Sequence, residues 1–460
     1  MKQSKLEAIM SDTNEQVIPT ISDELRERAS QKPTFNIMFV SDNDSKLSLF
    51  RGSNIFKTFE EFYSRQANIS CITASSTKLA SMNKDDLAGV NVLWIDNCSN
   101  YQAARTLADI HRDMLNDIDS NWKETVASFG SDSDSALKFI KELNTKREAR
   151  LRIIYAIDEL VWDAPVGRAH DIQSVQIMEN YMNLADSIVV PTAELRELIQ
   201  YYKFIVDTEK DIFVIPTSVN ADFFPLFKDF SRMHAPSQLA DKPKVLIKGV
   251  TIPKNVEEFI VENHKKMNIT ICTVGELNEH IMGLIQRQKI THIYHWANPY
   301  VNKRNILATY ALERDMSFDF VIHTKPDNLQ GQMYELSIGD EDMLFAIASG
   351  ALPISGIAHL EYDEDSSHLG VASGITFGRE STAKTIKHLI ESYSVPVRWT
   401  EAYNKCRAKV ESRIITSPKI ISAYFSVMLG REIAHARNVM AMEAKAKLEK
   451  NIATETSQES

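Results

Sequence analysis

Cysteine is scarce, with four residues in 460, and Cys71, Cys98, Cys272 and Cys406 form no Cys-x-x-Cys spacing. That excludes a disulfide framework and a cysteine-based zinc site, and the four read as buried thiols. Long apolar runs are missing as well: none approaches the roughly 20 residues that a helix needs to cross a bilayer. The polar opening Met1-Lys2-Gln3-Ser4-Lys5 lacks the apolar centre of a secretory signal, so a soluble, cytoplasmic chain is expected. Positive charge is in deficit, 52 Lys and Arg against 62 Asp and Glu for a net charge of −10. This argues against broad non-specific nucleic-acid binding and leaves room only for a local basic patch.

What is present is enough apolar material, 43% of the residues, for two or three domains with full cores, and two large ones are expected. Short apolar runs alternate with helical stretches: Phe35 to Val40, Asn68 to Ile72, Val90 to Ile95, Arg152 to Ile157, Ile188 to Val190 and Ile212 to Ile215. A second series follows at Val245, Ile269 to Val274, His292 to His295, Phe318 to Ile322 and Leu352 to Ile354. Strands of this length between helices indicate an α/β chain with doubly wound, largely parallel sheets, whose ligand sites lie at the carboxyl ends of the strands. No internal repeat is legible. The expected divisions are an N-terminal extension over 1–33, a first domain over 34–225, a proline-marked linker over 226–243 and a second domain over 244–400. C-terminal helices over 401–451 and a tail over 452–460, disordered by composition, complete the chain.

One segment invites a ligand. Lys248-Gly249-Val250-Thr251-Ile252-Pro253-Lys254-Asn255 sets two lysines between a short strand and a helix that opens with acidic first-turn residues. A polyanion such as a phosphate would be held there, although two lysines near a turn are more often simply solvated. Adjacent strand residues point to opposite faces, so Lys248 can serve in place of a cation at position 249 only if the strand end is bulged or irregular.

This segment resembles the opening of the C-terminal domain in GT-B glycosyltransferases of the large retaining group, with Lys254 in the place of a diphosphate-binding lysine. Gly249 falls where that family has an arginine, and Lys248 is the nearest cation. Further segments occur in the family's order: Ala185 to Leu195, Ile215 to Pro225, Phe345 to Ile354 and Gly374 to Gly378. The resemblance covers roughly residues 150–395. It implies two Rossmann-like domains facing across a cleft, with a C-terminal helix crossing back to the first. Ser349 and Gly350, in a small-residue helix end, would let a flat nucleotide approach, or would serve packing alone. The family places two acids eight residues apart; here Ser337 and Phe345 occupy those positions. Sugar and ribose contacts therefore fall to Glu335, Asp340, Glu341 and Asp342 about the Gly339 turn, with a helix N-cap as the plainer role for Asp340 or Asp342.

On the acceptor side, Arg152-Ile153-Ile154-Tyr155-Ala156-Ile157 leads into Asp158-Glu159-Leu160-Val161-Trp162, which resembles an acidic cleft loop of some GT-B enzymes. Asp158, with Glu159, would hydrogen-bond an acceptor hydroxyl or support positive charge developing on the sugar. Capping the loop, or pairing with Arg168, is the competing role. His170 is a further cleft candidate. Lys141, Lys146, Arg147, Arg150 and Arg152 form the densest basic run of the first domain and Lys303-Arg304 a patch in the second; such runs track phosphates or, more often, are solvated helix faces.

The resemblance implies a transferase using a nucleotide-sugar donor, a UDP-sugar being expected, with retention of configuration, no tightly bound cofactor and no catalytic metal. Wording poor in glycine and rich in Asn, Lys, Ile, Met and Asp resembles tailed-phage proteins, which brings in DNA, through hydroxymethylcytosine, as an acceptor. A surface polysaccharide is the first alternative and an inactive GT-B scaffold that binds nucleic acid or protein the second. No membrane span and no obligate protein partner are implied.

Overall fold

The computed structural model describes residues 34–41, 53–63, 68–119, 122–128, 151–162, 170–202, 210–219, 242–264, 266–287, 293–296, 315–323, 329–355, 375–376, 383–411, 413–414 and 417–428, with positions 130, 135, 138, 139 and 313 besides. The 1–33 extension, most of the linker, the 452–460 tail, Lys141 to Arg150, Arg168, Lys303, Arg304 and Gly378 lie outside the described residues.

The first series runs β1 (Thr34–Ser41), α1 (Ser53–Tyr63), β2 (Asn68–Ser75), α2 (Ser76–Ala80), β3 (Val92–Asp96), α3 (Tyr101–Asp119), α4 (Trp122–Ser128), β4 (Arg152–Ala156), α5 (Ile172–Leu184), β5 (Ser187–Val190), α6 (Ala193–Tyr201) and β6 (Asp211–Val214). Its sheet is ordered β2-β1-β3-β4-β5-β6, and every pairing is parallel. Strands β3, β4 and β5 are buried at every residue, as parallel strands covered on both faces must be. Alternation then splits their side chains between two cores. Met38, Leu93, Ile95, Ile153 and Tyr155 pack with Leu107 of α3 and Met178 of α5, while Phe39, Val92, Trp94 and Ile154 pack with Phe56 and Phe59 of α1.

The second series runs β7 (Lys244–Thr251), α7 (Lys254–Asn263), β8 (Thr270–Glu276), α8 (Glu279–Gln286), β9 (Ile293–Trp296), β10 (Phe320–His323), α9 (Leu329–Ile338), α10 (Glu341–Ala348), β11 (Leu352–Ser355), β12 (Ile375–Thr376) and α11 (Ala383–Tyr393). Helices α12 (Pro396–Glu411) and α13 (Pro418–Met428) follow. The parallel order β12-β11-β10-β7-β8-β9 reverses between β7 and β10, so the crevice outside their carboxyl ends is the ligand position for this topology. In the first sheet the reversal lies between β1 and β3.

Helix α13 returns to the first domain as the GT-B expectation requires. Ile420, Ile421 and Tyr424 enter the core beside Phe56, Phe59 and Trp94, with the Tyr424 ring stacked 5.1 Å from Trp94 and edge-on to Phe56 at 6.3 Å. Arg152, expected in a basic run open to phosphates, is instead buried where β4 begins. Its guanidinium donates to Ser187 Oγ at 3.0 Å and to the Met428 carbonyl at 3.5 Å, tying the end of α13 to the sheet.

The cysteines are free thiols. Burial pushes Cys272 up to about 11, Lys244 opposing, and pushes Cys71 up to about 12 with help from Glu60. A thiol held protonated in the fold contributes stability below its unfolded pKa, near 9, and loses it as pH rises towards the folded value. Urea midpoints should therefore fall beyond pH 9, less steeply in Cys272→Ala; parallel pH profiles for the two proteins would contradict this. Tyr424→Ala should cost about 3–5 kcal/mol in the same titration, because it empties an aromatic site shared by α13 and the first domain.

Candidate functional site

The carboxyl edges of the two sheets meet. Strand β4 ends at Ala156, and Ile157 N–H still donates to the Val189 carbonyl, so the chain leaves the sheet at Asp158, which is buried. Beneath it, Tyr155 donates to the Cys98 carbonyl at 3.0 Å and stacks on Tyr181 at 5.4 Å. Burial, seconded by the neighbouring Cys98, Tyr181 and carboxylates, pushes the Tyr155 phenol well above its usual range, so it stays protonated. Glu159 receives the Tyr334 hydroxyl of α9, from the second domain, and lies 2.9 Å from His170 Nε2. Trp162 fixes the far end of the loop by donating to Glu179 at 2.8 Å and stacking on Tyr202 at 4.6 Å. His170 does stand beside the acidic loop, and it contacts Glu159.

From the other side comes the turn between α9 and α10. Ser337 Oγ accepts from Leu160 N–H at 3.2 Å and donates to the Tyr334 carbonyl at 2.6 Å, while the Ser337 carbonyl accepts from Thr192 Oγ1 at 2.9 Å. Thr192 also caps α6, accepting from Leu195 N–H at 3.0 Å. Gly339 has φ +83°, and a Cβ built on it would meet Thr192 Cγ2 at 2.8 Å. Glycine is required there on both counts. Asp340 does not cap α10 with its side chain. Its carboxylate lies 2.5 Å from Arg413 Nη1, and the same guanidinium donates twice to the Thr217 carbonyl, at 3.1 and 2.8 Å. A bridge between Val219 and Ile414 joins the two chain segments there. Asp340 thus fastens both crossings between the domains rather than capping a helix.

Lys248 ends the regular part of β7, and a register shift between Lys248 and Thr251 supplies the irregularity that Lys248 would need to stand in for a cation at position 249. Yet its ammonium is turned inward, 1% exposed, 2.5 Å from Glu313 and 2.6 Å from Asp342. His323, paired in register with Lys248, contributes Nε2 at 3.4 Å from Asp342. Two carboxylates already face this cation, so it offers an incoming diphosphate no surplus positive charge. Lys254 stands apart as the first residue of α7, its side chain 85% exposed and 4.0 Å from Glu258. Pro253, before it, provides no side-chain cap, and Val256 N–H is taken by Asn255 Oδ1 at 2.9 Å. Because α7 follows β7 directly, its N-terminus and Lys254 occupy the carboxyl edge of the sheet.

Gly249 lies within the shifted end of β7, and Glu335 lies on α9 with its side chain outside the described residues. Glu341 is buried in the first turn of α10. Ser349 and Gly350 are not at the carboxyl edge of the second sheet. Helix α10 descends about 12 Å over its eight residues before β11 begins, and Leu352 pairs with Phe320, the first residue of β10. Both residues therefore sit at the opposite, amino edge, where Gly350, at φ +93°, ends the helix and donates to the Ile347 carbonyl at 3.0 Å. Phe345, in the place of the family's second acid, is wholly buried.

Sequence reasoning missed Glu313, His323, Tyr334, Thr192 and Arg413. Tyr334 lies 175 positions from Glu159, and Arg413 lies 73 and 196 positions from Asp340 and Thr217, so no local spacing signals them.

No family model matches the chain, and no curated protein matches it. Among solved structures, it is similar to sucrose-phosphate synthase from Thermosynechococcus elongatus, at 11% identity and TM-score 0.47 over 87% of this chain and 100% of that one. It is similar also to an α,α-trehalose-phosphate synthase (UDP-forming) from Burkholderia vietnamiensis, at 8% identity and TM-score 0.46 over 89% and 99%. HepE of Anabaena in complex with UDP-glucose gives 11% identity and TM-score 0.45 over 85% and 99%. Likeness at this level transfers no residue role to this chain.

Removing one member of the Arg413–Asp340 pair leaves a buried charge behind. Asp340→Ala should destabilise by about 3–5 kcal/mol in urea unfolding, and a loss below about 1 kcal/mol would show the pair to be dispensable.

Proposed function

We propose that this protein is a GT-B glycosyltransferase that moves a sugar from a nucleotide-sugar donor, a UDP-sugar, to a hydroxyl acceptor. The observation that carries the reading is the meeting of two carboxyl edges: Asp158 leaves β4 on one, and Lys254 opens α7 behind β7 on the other. Lys254 and the positive end of the α7 dipole attract the diphosphate, and they stabilise the charge that accumulates as it departs. Lys248, committed to Glu313 and Asp342, orders the strand end and α10 rather than taking the phosphates. Glu341, at the N-terminus of α10 beside the β7–β10 reversal, and Glu335 of α9 are the acids proposed for donor hydroxyls, with Asp342, which already faces Lys248 and His323, beside them. Gly249 allows close passage of the backbone.

Asp158 accepts a hydrogen bond from the acceptor hydroxyl, or supports positive charge on the sugar, as its site at the first domain's edge permits. Glu159 holds the loop in shape through His170 and Tyr334. Two acceptors fit this reading, hydroxymethylcytosine in DNA and a surface polysaccharide. Burial of Arg152 removes one cation from the run that pointed to DNA, which favours giving the polysaccharide equal weight.

UDP at about 100 times its Kd should stabilise the protein by about 2.7 kcal/mol, read as a rise in melting temperature. Lys254→Ala should weaken UDP binding about tenfold, equivalent to about 1.4 kcal/mol, in calorimetric titration. Asp158→Asn should lower sugar transfer or UDP-glucose hydrolysis by about 10²-fold or more with UDP affinity intact. If no nucleoside diphosphate raises the melting temperature, the inactive-scaffold reading takes over.

A further inference from the structure

Among the described residues, and apart from the return of α13, contacts from the second domain to the first gather on one short stretch. Of α9 and the turn behind it, Tyr334, Ser337, Gly339 and Asp340 all reach across. Tyr334 belongs to the second domain by sequence, but its ring is 1% exposed within the core cluster that contains Ile157, Leu160, Val161 and Trp162 of the first. Ile338 packs partly against the same cluster. The ring is a buried anchor, and its hydroxyl ends on Glu159. Two residues from Asp158, the Leu160 amide is held by Ser337. Among the described residues of this stretch, Ile338 is the apolar side chain that crosses with Tyr334, and the remaining links are the Asp340–Arg413 ion pair and hydrogen bonds, which exchange readily with water when a cleft opens.

We infer that Tyr334 and Ser337 form a clasp that sets the angle between the domains and thereby holds the Asp158 loop against the nucleotide domain. The Asp340–Arg413–Thr217 contact, beside the two chain crossings, is the pivot on which that angle turns. Tyr334 and Ser337 are positioning residues, because they touch the loop backbone and Glu159 and act on Asp158 only through them. A loop fixed within a fraction of an ångström matters because a misplacement of about 1 Å can cost about 10²-fold in rate. The consequence for catalysis rests on the transferase reading proposed above; the consequence for domain geometry does not.

The test uses the full chain carrying Tyr334→Phe, Ser337→Ala and both together. Phenylalanine keeps the buried ring and serine to alanine keeps the volume nearly constant, so the fold should survive, with urea midpoints close to wild type. Small-angle X-ray scattering should show a larger radius of gyration for the double variant, and amide exchange should quicken in 157–162 and 329–340. UDP affinity should stay within about twofold, while kcat for UDP-glucose hydrolysis falls about tenfold or more, since binding uses the second domain and catalysis needs both. Unchanged scattering and exchange in the double variant would overturn the clasp. A more open variant that hydrolyses as fast as wild type would overturn its link to Asp158. Should wild-type protein neither bind UDP nor hydrolyse UDP-glucose, the transferase reading fails, and scattering and exchange still decide the clasp.

Discussion

The buried pair between Asp340 and Arg413 is the constraint on which the arrangement of the two sheets depends. Each sheet is complete in itself, with its own parallel ladder and its own core on either face. A link between them at the chain crossings is a guanidinium, 1% exposed, that closes on a carboxylate of the second domain and on the Thr217 carbonyl where the chain leaves the first. A charge so far from water is tolerated only with its partners in place, so the pair specifies one geometry for two chain crossings at once. Three residues earlier in the same turn, Ser337 binds the first domain by both its hydroxyl and its carbonyl. The candidate acids on either side of the cleft inherit their spacing from this turn.

Charge at the carboxyl edge of the second sheet is distributed in a way that residue type alone does not suggest. Of the two lysines flanking the β7 exit, the one in the strand is drawn into the domain by Glu313 and Asp342, and the one opening the helix is left in water. The register shift at the end of β7 is present, yet the two lysines stay apart. Lys248 ties β7, β10 and α10 together, and Lys254 keeps an exposed charge, 4.0 Å from Glu258, at a helix N-terminus.

The alternation of apolar runs with helical stretches in the sequence anticipated every strand from β1 to β11 to within about four residues at either end. Parallel strands buried on both faces have to be written as continuous apolar segments, which is why Val92 to Ile95 and Ile188 to Val190 were legible. Asp158, Glu159, Gly339 and Asp342 were legible as candidates for a related reason, since loops at the carboxyl ends of such strands are where polar residues interrupt the pattern. Ser349 and Gly350 were misplaced because a motif read along the chain carries no direction within the sheet; eight helical residues carried them to the other edge. The sequence offers Asp340 as a sugar or ribose contact or a helix cap and does not signal its pairing with Arg413, 73 positions away.

By itself, then, the sequence determined the class of fold, the number and order of strands and the loops in which polar chemistry collects, because those follow from periodicity and hydrophobicity over a few neighbouring residues. Tertiary structure decided which lysine is neutralised, that Glu159 meets Tyr334, that Arg152 braces the crossing helix, and how closely the two edges approach. Each of those outcomes is a pairing between groups tens to hundreds of positions apart, and the energy of such a pair exists only once folding has brought its members together and removed the water between them.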